Sequence, residues 1–316
     1  MPDILISENI RGAAVDALAS RFDVVIKPEL WRDPQALADE LAGVRGLIIR
    51  NQTLITRDLL KAAKKLEVIG RAGVGLDNVD VAAASEAGII VTSTPDQNAI
   101  SVAELAIGMM LSLARHIPSA NADTKQGNWN RQRFTGTELY GKTFGIIGAG
   151  KIGFLTARRA QAFGMKILAF DPYISSDNVY LAELNAELLP LESLLKRADV
   201  VSCHLPATPS TNRLLNAAMF ACMKPSAFFL NTSRGEVIDE ADLLEALRGG
   251  TIAGAALDVR AVEPPAASDL DTIPNLILTP HIAALTHEAQ HRVTTAICED
   301  VSRVLDGQRP VNAVRV

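Results

Sequence analysis

The sequence is poor in aromatic residues, and this shortage sets the kind of core it can build. Phe, Trp and Tyr together make up 4% of the 316 residues, so the cores must consist mainly of aliphatic side chains. Hydrophobic residues at 48% and charged residues at 21% are ordinary for globular chains, which excludes disordered, collagen-like and disulfide-scaffold classes. The length predicts about two domains.

Cysteine and net positive charge are also scarce. The three cysteines are Cys203, Cys222 and Cys298. Their odd number and their spacing are typical of reduced thiols, so we expect a cytoplasmic protein without a cysteine metal site. With 31 basic and 36 acidic residues, the formal charge of −5 gives no general attraction for nucleic acid or for an anionic membrane. The longest apolar stretch, residues 101–118, carries Glu104 and Arg115, so we expect no membrane span.

Short β-branched runs alternate with amphipathic helical stretches along nearly the whole chain. This alternation is typical of α/β proteins with parallel sheets. The predicted strands are residues 3–7, 23–26, 46–50, 66–70 and 88–93, followed by 142–148, 165–171, 199–204, 227–232, 252–259 and 276–281. Pro34 and Thr56 are placed to begin helices. A long helix predicted over residues 98–116 would connect the two series.

Residues 143–153 carry a glycine-rich motif between a predicted strand and a helix predicted over 152–163. Gly148, Gly150 and Gly153 have the spacing G-x-G-x-x-G, which in this context predicts a dinucleotide site. They would provide, in that order, a tight turn, close approach of the backbone to a pyrophosphate, and close packing of helix on strand. Backbone N–H groups around Lys151 and Ile152 would hold the phosphates.

The strand that follows the glycine motif ends at Asp171, 18 residues after Gly153. A carboxylate at this place is suited to accept hydrogen bonds from the adenosine ribose and repels a 2′-phosphate, so the sequence predicts NAD rather than NADP. The alternative is an ordinary turn with a solvated aspartate. Gly73 and Gly75 form a second pair, but Asn78 stands at the third position, so we expect no second dinucleotide site.

Three later loops place polar residues directly after predicted strands, where ligands bind in parallel sheets. These loops contain Arg234, Asp258 with Glu263, and His281. Each residue alone is also consistent with a surface arginine, an ordinary acid or a histidine in a turn. Together with the glycine motif, they supply the groups that hydride transfer to a carbonyl requires.

Several motifs resemble those of the D-isomer-specific 2-hydroxyacid dehydrogenases, particularly the phosphoglycerate dehydrogenase-like branch. They are RAGVGLDNVD, SVAELAIG, GIIGAGKIG, NTSRGEVIDE, the segment 258–264, TPHIA and GQRPVNAV, and they cover essentially the whole chain. The resemblance implies an α/β, two-lobed protein. A Rossmann-type doubly wound parallel sheet domain that binds NAD, residues 99–285, would be inserted into a smaller flavodoxin-like substrate domain, residues 1–98 and 286–316. It also implies a homodimer with contacts through the 98–116 helix and the loop after it.

The resemblance further implies hydride transfer between NAD(H) and C2 of a small, anionic D-2-hydroxy acid or 2-oxo acid. His281 would be the acid/base, Glu263 its partner and Arg234 the substrate clamp. The implied substrate-binding residues are Arg50, Val74, Gly75 and Arg234. The implied cofactor-binding residues are Val74, Gly148, Gly150, Lys151, Ile152, Gly153, Asp171, Thr232, Ser233, Arg234, Asp258, His281, Ala283 and Ala284.

The chain departs from the family pattern at two positions. Arg260 stands where relatives commonly have an aromatic residue, and it would either add positive charge for an acidic substrate or point to solvent. Arg50 matches an anion-binding position of the phosphoglycerate enzymes, but Asn51 replaces their usual serine. The sequence therefore leaves open 3-phosphoglycerate, hydroxypyruvate or glyoxylate, and sulfonate or dicarboxylate analogues.

Two other functions compete with this interpretation. Residues 287–291 match H-E-x-x-H, which on a helix would set His287 and His291 beside a zinc ion with Glu288 as the base of a metallopeptidase. No third ligand is evident, so we expect no metal. The second alternative is a catalytically idle NAD-sensing protein that binds a partner. The joint presence of an arginine, a glutamate and a histidine at the expected places favours an enzyme.

Overall fold

The structure is a computed structural model that describes residues 2–314. The chain divides into two compact units. The first contains the residues up to Asn98 together with those from Leu285 onward, and the second spans Ala99–Ala284. Each unit has its own parallel sheet and its own hydrophobic cores.

Strands and helices alternate through both units. The strands are β1 (Ile4–Ile6), β2 (Val24–Ile26), β3 (Gly46–Ile49), β4 (Val68–Arg71), β5 (Ile90–Thr92), β6 (Thr143–Ile147), β7 (Lys166–Phe170), β8 (Glu187–Leu188), β9 (Val200–Cys203), β10 (Phe228–Asn231), β11 (Gly254–Leu257) and β12 (Leu276–Leu278). The helices are α1 (Ala13–Ala19), α2 (Pro34–Leu41), α3 (Arg57–Leu60), α4 (Val81–Glu86), α5 (Ala99–Ala114), α6 (Ile117–Lys125), α7 (Lys151–Ala162), α8 (Val179–Leu184), α9 (Leu191–Arg197), α10 (Ala217–Ala221), α11 (Glu240–Arg248) and α12 (His287–Leu305).

The sheet of the first unit has the strand order β2-β1-β3-β4-β5, with every pair parallel. This is the flavodoxin-like order. Strand β1 lies inside the sheet, and Ile4 pairs with Val24 on one side and with Gly46 on the other. Helix α12 packs so closely on β4 that a Cβ on Gly70 would lie 2.7 Å from a side-chain carbon of Val301. The closing helix therefore belongs to the core of this unit.

The sheet of the second unit has the strand order β12-β11-β10-β9-β6-β7-β8, again with every pair parallel. The chain starts at β6 in the middle, winds out through β7 and β8, and returns through β9 on the other side. This is the doubly wound arrangement, whose ligand crevice lies where the winding direction changes, between β6 and β9. The predicted α/β fold class is confirmed.

The structure differs from the predicted elements at three places. The helix predicted over 98–116 corresponds to α5, which ends at Ala114. A second helix that was not predicted, α6, begins at Ile117 after His116, whose φ of 53° is left-handed. The helix that begins after Thr56 is only four residues long, although the Thr56 hydroxyl caps it as predicted by accepting from the Leu59 N–H at 3.2 Å. Strand β8 was not predicted, because two residues carry too little periodicity to detect.

The composition-based predictions about thiols and membrane spans can also be compared with the structure. The three cysteines are free thiols, with Cys203 and Cys298 buried. Burial, together with the charge of Glu299, raises the pKa of Cys298 to about 12. Within residues 2–314 no single helix is long and apolar enough to cross a membrane. The bent pair α5 and α6 passes that test on length and composition alone.

Candidate active site

The glycine-rich turn joins β6 to α7, and two of its glycines are required by close contacts. Gly148 has φ 93°, and a Cβ there would lie 2.8 Å from the carbonyl oxygen of His204. A Cβ on Gly153 would lie 2.1 Å from the carbonyl oxygen of Gly148, so α7 reaches the sheet only because residue 153 is glycine. A Cβ on Gly150 would meet nothing within 4 Å. The space beside Gly150 is therefore open at the N-terminus of α7.

Asp171 follows β7 and is tied to the glycine turn. Its Oδ2 accepts a hydrogen bond from the backbone N–H of Ala149 at 3.0 Å, and its Oδ1 accepts from the N–H of Tyr173 at 2.9 Å. Each carboxylate oxygen keeps a further lone pair, so Asp171 remains able to accept from ribose hydroxyls. Lys151 and Ile152 form the first turn of α7, with exposed and half-buried side chains respectively.

The last residue of β10, Asn231, organises the turn that carries residues 232–234. Its Oδ1 accepts from the N–H of Ser233 at 3.0 Å and from the Ser233 hydroxyl at 2.7 Å, while its Nδ2 donates to the carbonyl oxygen of Arg234 at 2.8 Å. The buried hydroxyl of Thr232 has no hydrogen-bond partner within residues 2–314. Asn231 has no role among the sequence predictions, although an asparagine that ends a strand and begins a turn is a recognised turn signal.

Asp258 holds the turn after β12 that carries His281. The carboxylate of Asp258 is 1% exposed and accepts from the Thr279 hydroxyl at 2.5 Å and from the backbone N–H groups of Ile282 at 2.9 Å and Ala283 at 2.8 Å. The N–H of His281 donates to the Asp258 carbonyl oxygen at 2.8 Å. These bonds fix the backbone on both sides of the histidine.

His281 and Glu263 form a directly bonded pair. Nδ1 of His281 lies 2.6 Å from Oε2 of Glu263, and because an ionised carboxylate only accepts, the ring N–H is the donor. Burial raises the pKa of Glu263, but the bond with His281, the bond from the N–H of Arg260 and the positive charge of Arg234 together hold that pKa below its usual range. The side chains of His281 and Glu263 are 38% and 32% exposed. The Glu263 carboxylate is thus kept ionised, and the pair is oriented and open to a ligand.

Arg260 neither points to solvent nor offers a free charge to a ligand, so both alternatives predicted for it are wrong. Its Nε and Nη2 donate to Oε1 and Oε2 of Glu240 at 3.1 and 3.0 Å, and its Nη1 lies 3.6 Å from Oδ1 of Asp271. The side chain is 10% exposed. Glu240 is twenty residues away in sequence, so no local sequence pattern predicts this pairing.

The topology of the second unit brings these loops to one edge of the sheet. The strands β6, β9, β10, β11 and β12 are consecutive neighbours and all run in the same direction. Their carboxyl ends carry the Gly148 turn, His204, the Asn231 turn, Asp258 and the His281 turn in that spatial order. Arg234, Glu263 and His281 therefore lie on the same edge as the glycine turn.

The remaining predicted substrate residues are Arg50, Val74 and Gly75, and they lie in the first unit. A buried carboxylate and an amide clamp the loop that follows β3. Glu8 is 2% exposed and accepts from the N–H groups of Arg50 at 2.7 Å and Thr53 at 3.0 Å. Asn78 donates through Nδ2 to the carbonyl oxygens of the same two residues at 2.8 and 2.7 Å. Glu8 is absent from the sequence predictions because its partners are more than forty residues away along the chain.

The Arg50 side chain extends from this hydrogen-bonded loop. Burial lowers the pKa of Arg50, and the charge of Glu8 opposes that effect. No hydrogen bond or ion pair to its guanidinium is found in the described part of the chain. A half-buried guanidinium of this kind is suited to bind an anion. Val74, 39% exposed, and Gly75 lie in the loop after β4.

The H-E-x-x-H motif forms the start of α12 in the first unit. His287, Glu288 and His291 are all exposed. Across residues 2–314 no group of three or more His, Cys, Asp or Glu side chains is arranged to hold a metal ion. The arrangement provides no support for a zinc site.

Comparison with known protein families settles the relationship. Residues 107–283 match the family described as "D-isomer specific 2-hydroxyacid dehydrogenase, NAD binding domain". The chain belongs to this family. The matched residues lie within the second unit, Ala99–Ala284.

Individual proteins are also similar to this chain over its whole length. The chain is 44% identical over 318 residues to a D-3-phosphoglycerate dehydrogenase of Methanocaldococcus jannaschii, and 42% identical over 316 residues to one of Synechocystis. Both alignments cover 100% of this chain, but only 60% and 56% of those relatives. The chain thus spans less than two thirds of their length. The crystal structure of the TT0316 protein from Thermus thermophilus superposes with a TM-score of 0.93 at 36% identity, covering 99% of both chains.

The residues at the sheet edge fit NAD, the cofactor of the family. The open space beside Gly150 leaves room for a pyrophosphate at the positive end of α7. Asp171 keeps acceptor capacity for ribose hydroxyls, and its charge opposes a 2′-phosphate. The buried, unpaired hydroxyl of Thr232 lies at the same edge and is ready for a polar ligand atom.

Proposed function

We propose that the chain is an oxidoreductase that transfers a hydride between NAD(H) and C2 of a small, anionic D-2-hydroxy acid or 2-oxo acid. The 2.6 Å bond between His281 and Glu263, on the same sheet edge as the glycine turn, carries this proposal. An idle NAD sensor has no need of an oriented imidazole–carboxylate pair beside an arginine. Residues 99–285 are the proposed NAD-binding domain, and residues 1–98 with 286–316 the proposed substrate domain.

In this proposal, His281 transfers the proton to or from the oxygen on C2. NADH, when bound, supplies the hydride that reduces C2. The oxygen on C2 then needs a proton, and His281 donates it from Nε2, since Nδ1 is engaged by Glu263. In the oxidation direction the same nitrogen accepts the proton of the substrate hydroxyl. Glu263 holds the ring in one orientation and stabilises its charged form.

Arg234 is proposed to bind the substrate carboxylate through its planar fork and to polarise the C2 carbonyl. The Asn231 amide fixes the backbone from which this side chain extends. Arg50, Val74 and Gly75 are proposed as further substrate contacts. The proposed cofactor contacts are Val74, Gly148, Gly150, Lys151, Ile152, Gly153, Asp171, Thr232, Ser233, Arg234, Asp258, His281, Ala283 and Ala284.

The substrate is proposed to carry a second anionic group. Two relatives whose alignments cover the whole chain are named D-3-phosphoglycerate dehydrogenases. The half-buried Arg50 guanidinium, with no hydrogen bond or ion pair in the described part of the chain, is suited to bind an anion. Asn51 in place of the usual serine leaves phosphate, sulfonate and carboxylate as competing identities for that group. Reduction of glyoxylate or hydroxypyruvate is the simpler alternative.

A homodimer in the cytoplasm is proposed as the working form. The loop after α6 exposes Trp129 to 78%, and the first residue of α6, Ile117, is 51% exposed. Large apolar side chains that are this exposed are candidates for an interaction surface. Light scattering measures the mass directly, and a monomer at working concentration contradicts this part of the proposal.

The decisive experiment is an assay of NADH oxidation, followed by near-ultraviolet absorbance, across a panel of 2-oxo acids. The panel contains glyoxylate, hydroxypyruvate, phosphohydroxypyruvate, sulfopyruvate and oxaloacetate, each tested with NADH and with NADPH. We expect turnover with NADH, and His281→Ala should lower kcat by about 10²- to 10⁴-fold. No turnover with any member, or a fully active His281→Ala variant, contradicts the proposed function.

A further inference from the structure

Arg260 anchors the loop that carries Glu263 to α11. Its guanidinium makes a two-point contact with the carboxylate of Glu240, the first residue of α11, and a third bond from Nη2 to the Ser268 hydroxyl at 3.2 Å. The hydrogen bonds with Glu240 raise the pKa of Arg260 against the opposing effect of burial. A planar, paired and largely buried guanidinium of this kind is a rigid support.

The backbone around Arg260 is fixed by the same glutamate. The N–H of Ala261 donates to Oε1 of Glu240 at 2.7 Å, and the N–H of Arg260 donates to Oε1 of Glu263 at 3.0 Å. Oε2 of Glu263 accepts the hydrogen bond from Nδ1 of His281. An unbroken series of hydrogen bonds therefore runs from Glu240 through the 260–261 backbone to Glu263 and the imidazole ring.

The arginine turn also packs against this backbone. A Cβ on Gly235 would lie 2.0 Å from the carbonyl carbon of Arg260 and 2.3 Å from the nitrogen of Ala261. The peptide that joins residues 260 and 261 is therefore in close contact with the turn that carries Arg234. A shift of this peptide would move Glu263 and displace the backbone next to Arg234 at the same time.

We propose that Arg260 and Glu240 form an ion pair that positions the Glu263 carboxylate, and through it the His281 ring, for proton transfer. This inference rests on the proposed function. Neither residue touches the reacting atoms, so both are positioning residues. The charged groups that act on Glu263 are His281 and Arg234, and Arg260 adds its backbone N–H. An aromatic side chain, which the family resemblance gives as common at residue 260, has no group to replace this fork.

The hydrogen bond between His281 and Glu263 can be observed without any turnover. A proton held between Nδ1 and a carboxylate oxygen at 2.6 Å gives a ¹H resonance well downfield of the amide region, and His281→Ala identifies it by its disappearance. We expect this resonance in the wild-type chain and its loss or exchange broadening in Arg260→Met and in the isosteric Glu240→Gln. Glu240→Gln keeps the side-chain volume, so it provides the test if Arg260→Met does not fold.

In steady-state kinetics, we expect both variants to lower kcat with little change in KM for NADH. We expect kcat to fall about tenfold in both variants, because misplacement of an acid/base group acts on the chemical step. Loss of the bond from the Arg260 N–H removes one cause of the low Glu263 pKa. The acidic limb of the pH–kcat profile should therefore move to higher pH. If the two residues act as one unit, the double variant is no worse than either single variant.

Arg248→Met is the matched control. Arg248 also lies on α11 and pairs with Asp269 of the same loop, through Nη2 and Oδ2 at 2.8 Å, but within residues 2–314 neither side chain hydrogen-bonds to Glu263 or to the 260–261 backbone. We expect it to leave the resonance and the pH profile unchanged. Retention of the resonance in Arg260→Met and Glu240→Gln, or equal losses in Arg248→Met, overturns the inference. Absence of turnover in the wild-type chain contradicts the proposed function instead and leaves the resonance test valid.

Discussion

Asp258 and His281 are linked through both backbone and side chain, and this link holds the histidine in an unusual conformation. The N–H of His281 donates to the Asp258 carbonyl oxygen, while the Asp258 carboxylate accepts from the N–H groups of Ile282 and Ala283. His281 has φ 53°, a left-handed value that costs a residue with a Cβ about 1–2 kcal/mol. The buried carboxylate compensates for this strain.

Substitution Asp258→Asn is expected to lower activity more than stability. The amide that replaces one oxygen cannot accept from backbone N–H groups, so the turn loses part of its support and the ring leaves its working position. We expect kcat to fall about 10²-fold and the free energy of unfolding to drop by about 1–3 kcal/mol. Steady-state kinetics and urea denaturation on the same preparation measure the two effects.

Asp300 provides the control for this prediction. It too is 1% exposed, and its carboxylate accepts from the N–H groups of Val311 and Asn312, at 2.6 and 3.1 Å, in the first unit. Asp300→Asn should cost a similar amount of stability while kcat stays near the wild-type value. If both variants lose kcat equally, the effect of Asp258→Asn is general loosening and the positioning role is wrong.

Two glycines of the glycine turn have different expected roles, Gly153 in packing and Gly150 in binding. Gly153→Ala puts a methyl group 2.1 Å from the Gly148 carbonyl oxygen, so α7 must move away from β6 and we expect a loss of about 1–3 kcal/mol from overpacking. Gly150→Ala meets nothing within 4 Å and should leave the unfolding midpoint unchanged. Its methyl group occupies the space proposed for the pyrophosphate, so the Kd for NADH should rise.

Equilibrium binding of NADH, followed by fluorescence, and thermal unfolding without cofactor distinguish these two glycine variants. The expected pattern is weak binding with normal stability for Gly150→Ala, and reduced stability for Gly153→Ala. Normal NADH affinity in Gly150→Ala would show that the dinucleotide does not approach this backbone.

The sequence was sufficient to predict the fold class and eleven of the twelve strands found in residues 2–314, because buried parallel strands are short, continuous apolar runs between turn signals. It was also sufficient to name Glu263 and His281 together, because the family motif places them. It could not show that the two are bonded, since that depends on how the loop after β11 returns to the turn after β12.

Most of the residues that sequence reasoning missed have partners that are distant in sequence. Glu8 and Glu240 act by hydrogen bonds to groups at least twenty residues away, and nothing in their local sequence encodes the partner. Asn231 is different, because it bonds to Ser233 and Arg234 in its own turn. Arg260 was misread because its partner, Glu240, is distant in sequence. An arginine beside a site suggests a free charge until the structure shows the carboxylate that neutralises it.

The imidazole of His204, directly after β9, leads us to expect that the free energy of unfolding depends on pH. Burial lowers the pKa of His204 from 6.5 to about 4, and its Nδ1 has no hydrogen-bond partner in the described chain. Between these two values the unfolded chain binds a proton that the folded chain does not, so the free energy of unfolding falls as the pH falls from 6.5 towards 4. The loss from this residue is on the order of 2 kcal/mol between roughly pH 7 and roughly pH 5.

Urea denaturation at several pH values tests this prediction in the difference between the wild-type chain and His204→Gln. The variant should lose less stability on acidification, because its side chain does not titrate. His287→Gln is the control, since His287 is exposed at the start of α12 and should behave like the wild-type chain. Parallel pH curves for the wild-type chain and His204→Gln contradict the assignment.

Arg50 decides whether the substrate carries a second anion. If its guanidinium binds such a group, Arg50→Met should raise KM for phosphohydroxypyruvate by about 10- to 100-fold, the value of one lost charged hydrogen bond. KM for glyoxylate, which has no second anion, should change little. Arg57→Met controls for the lost charge, because Arg57 pairs with Glu86 on the surface of the same unit. Equal changes in KM for both oxo acids would instead mean that Arg50 supports the loop after β3 and that the second anion is absent from the true substrate.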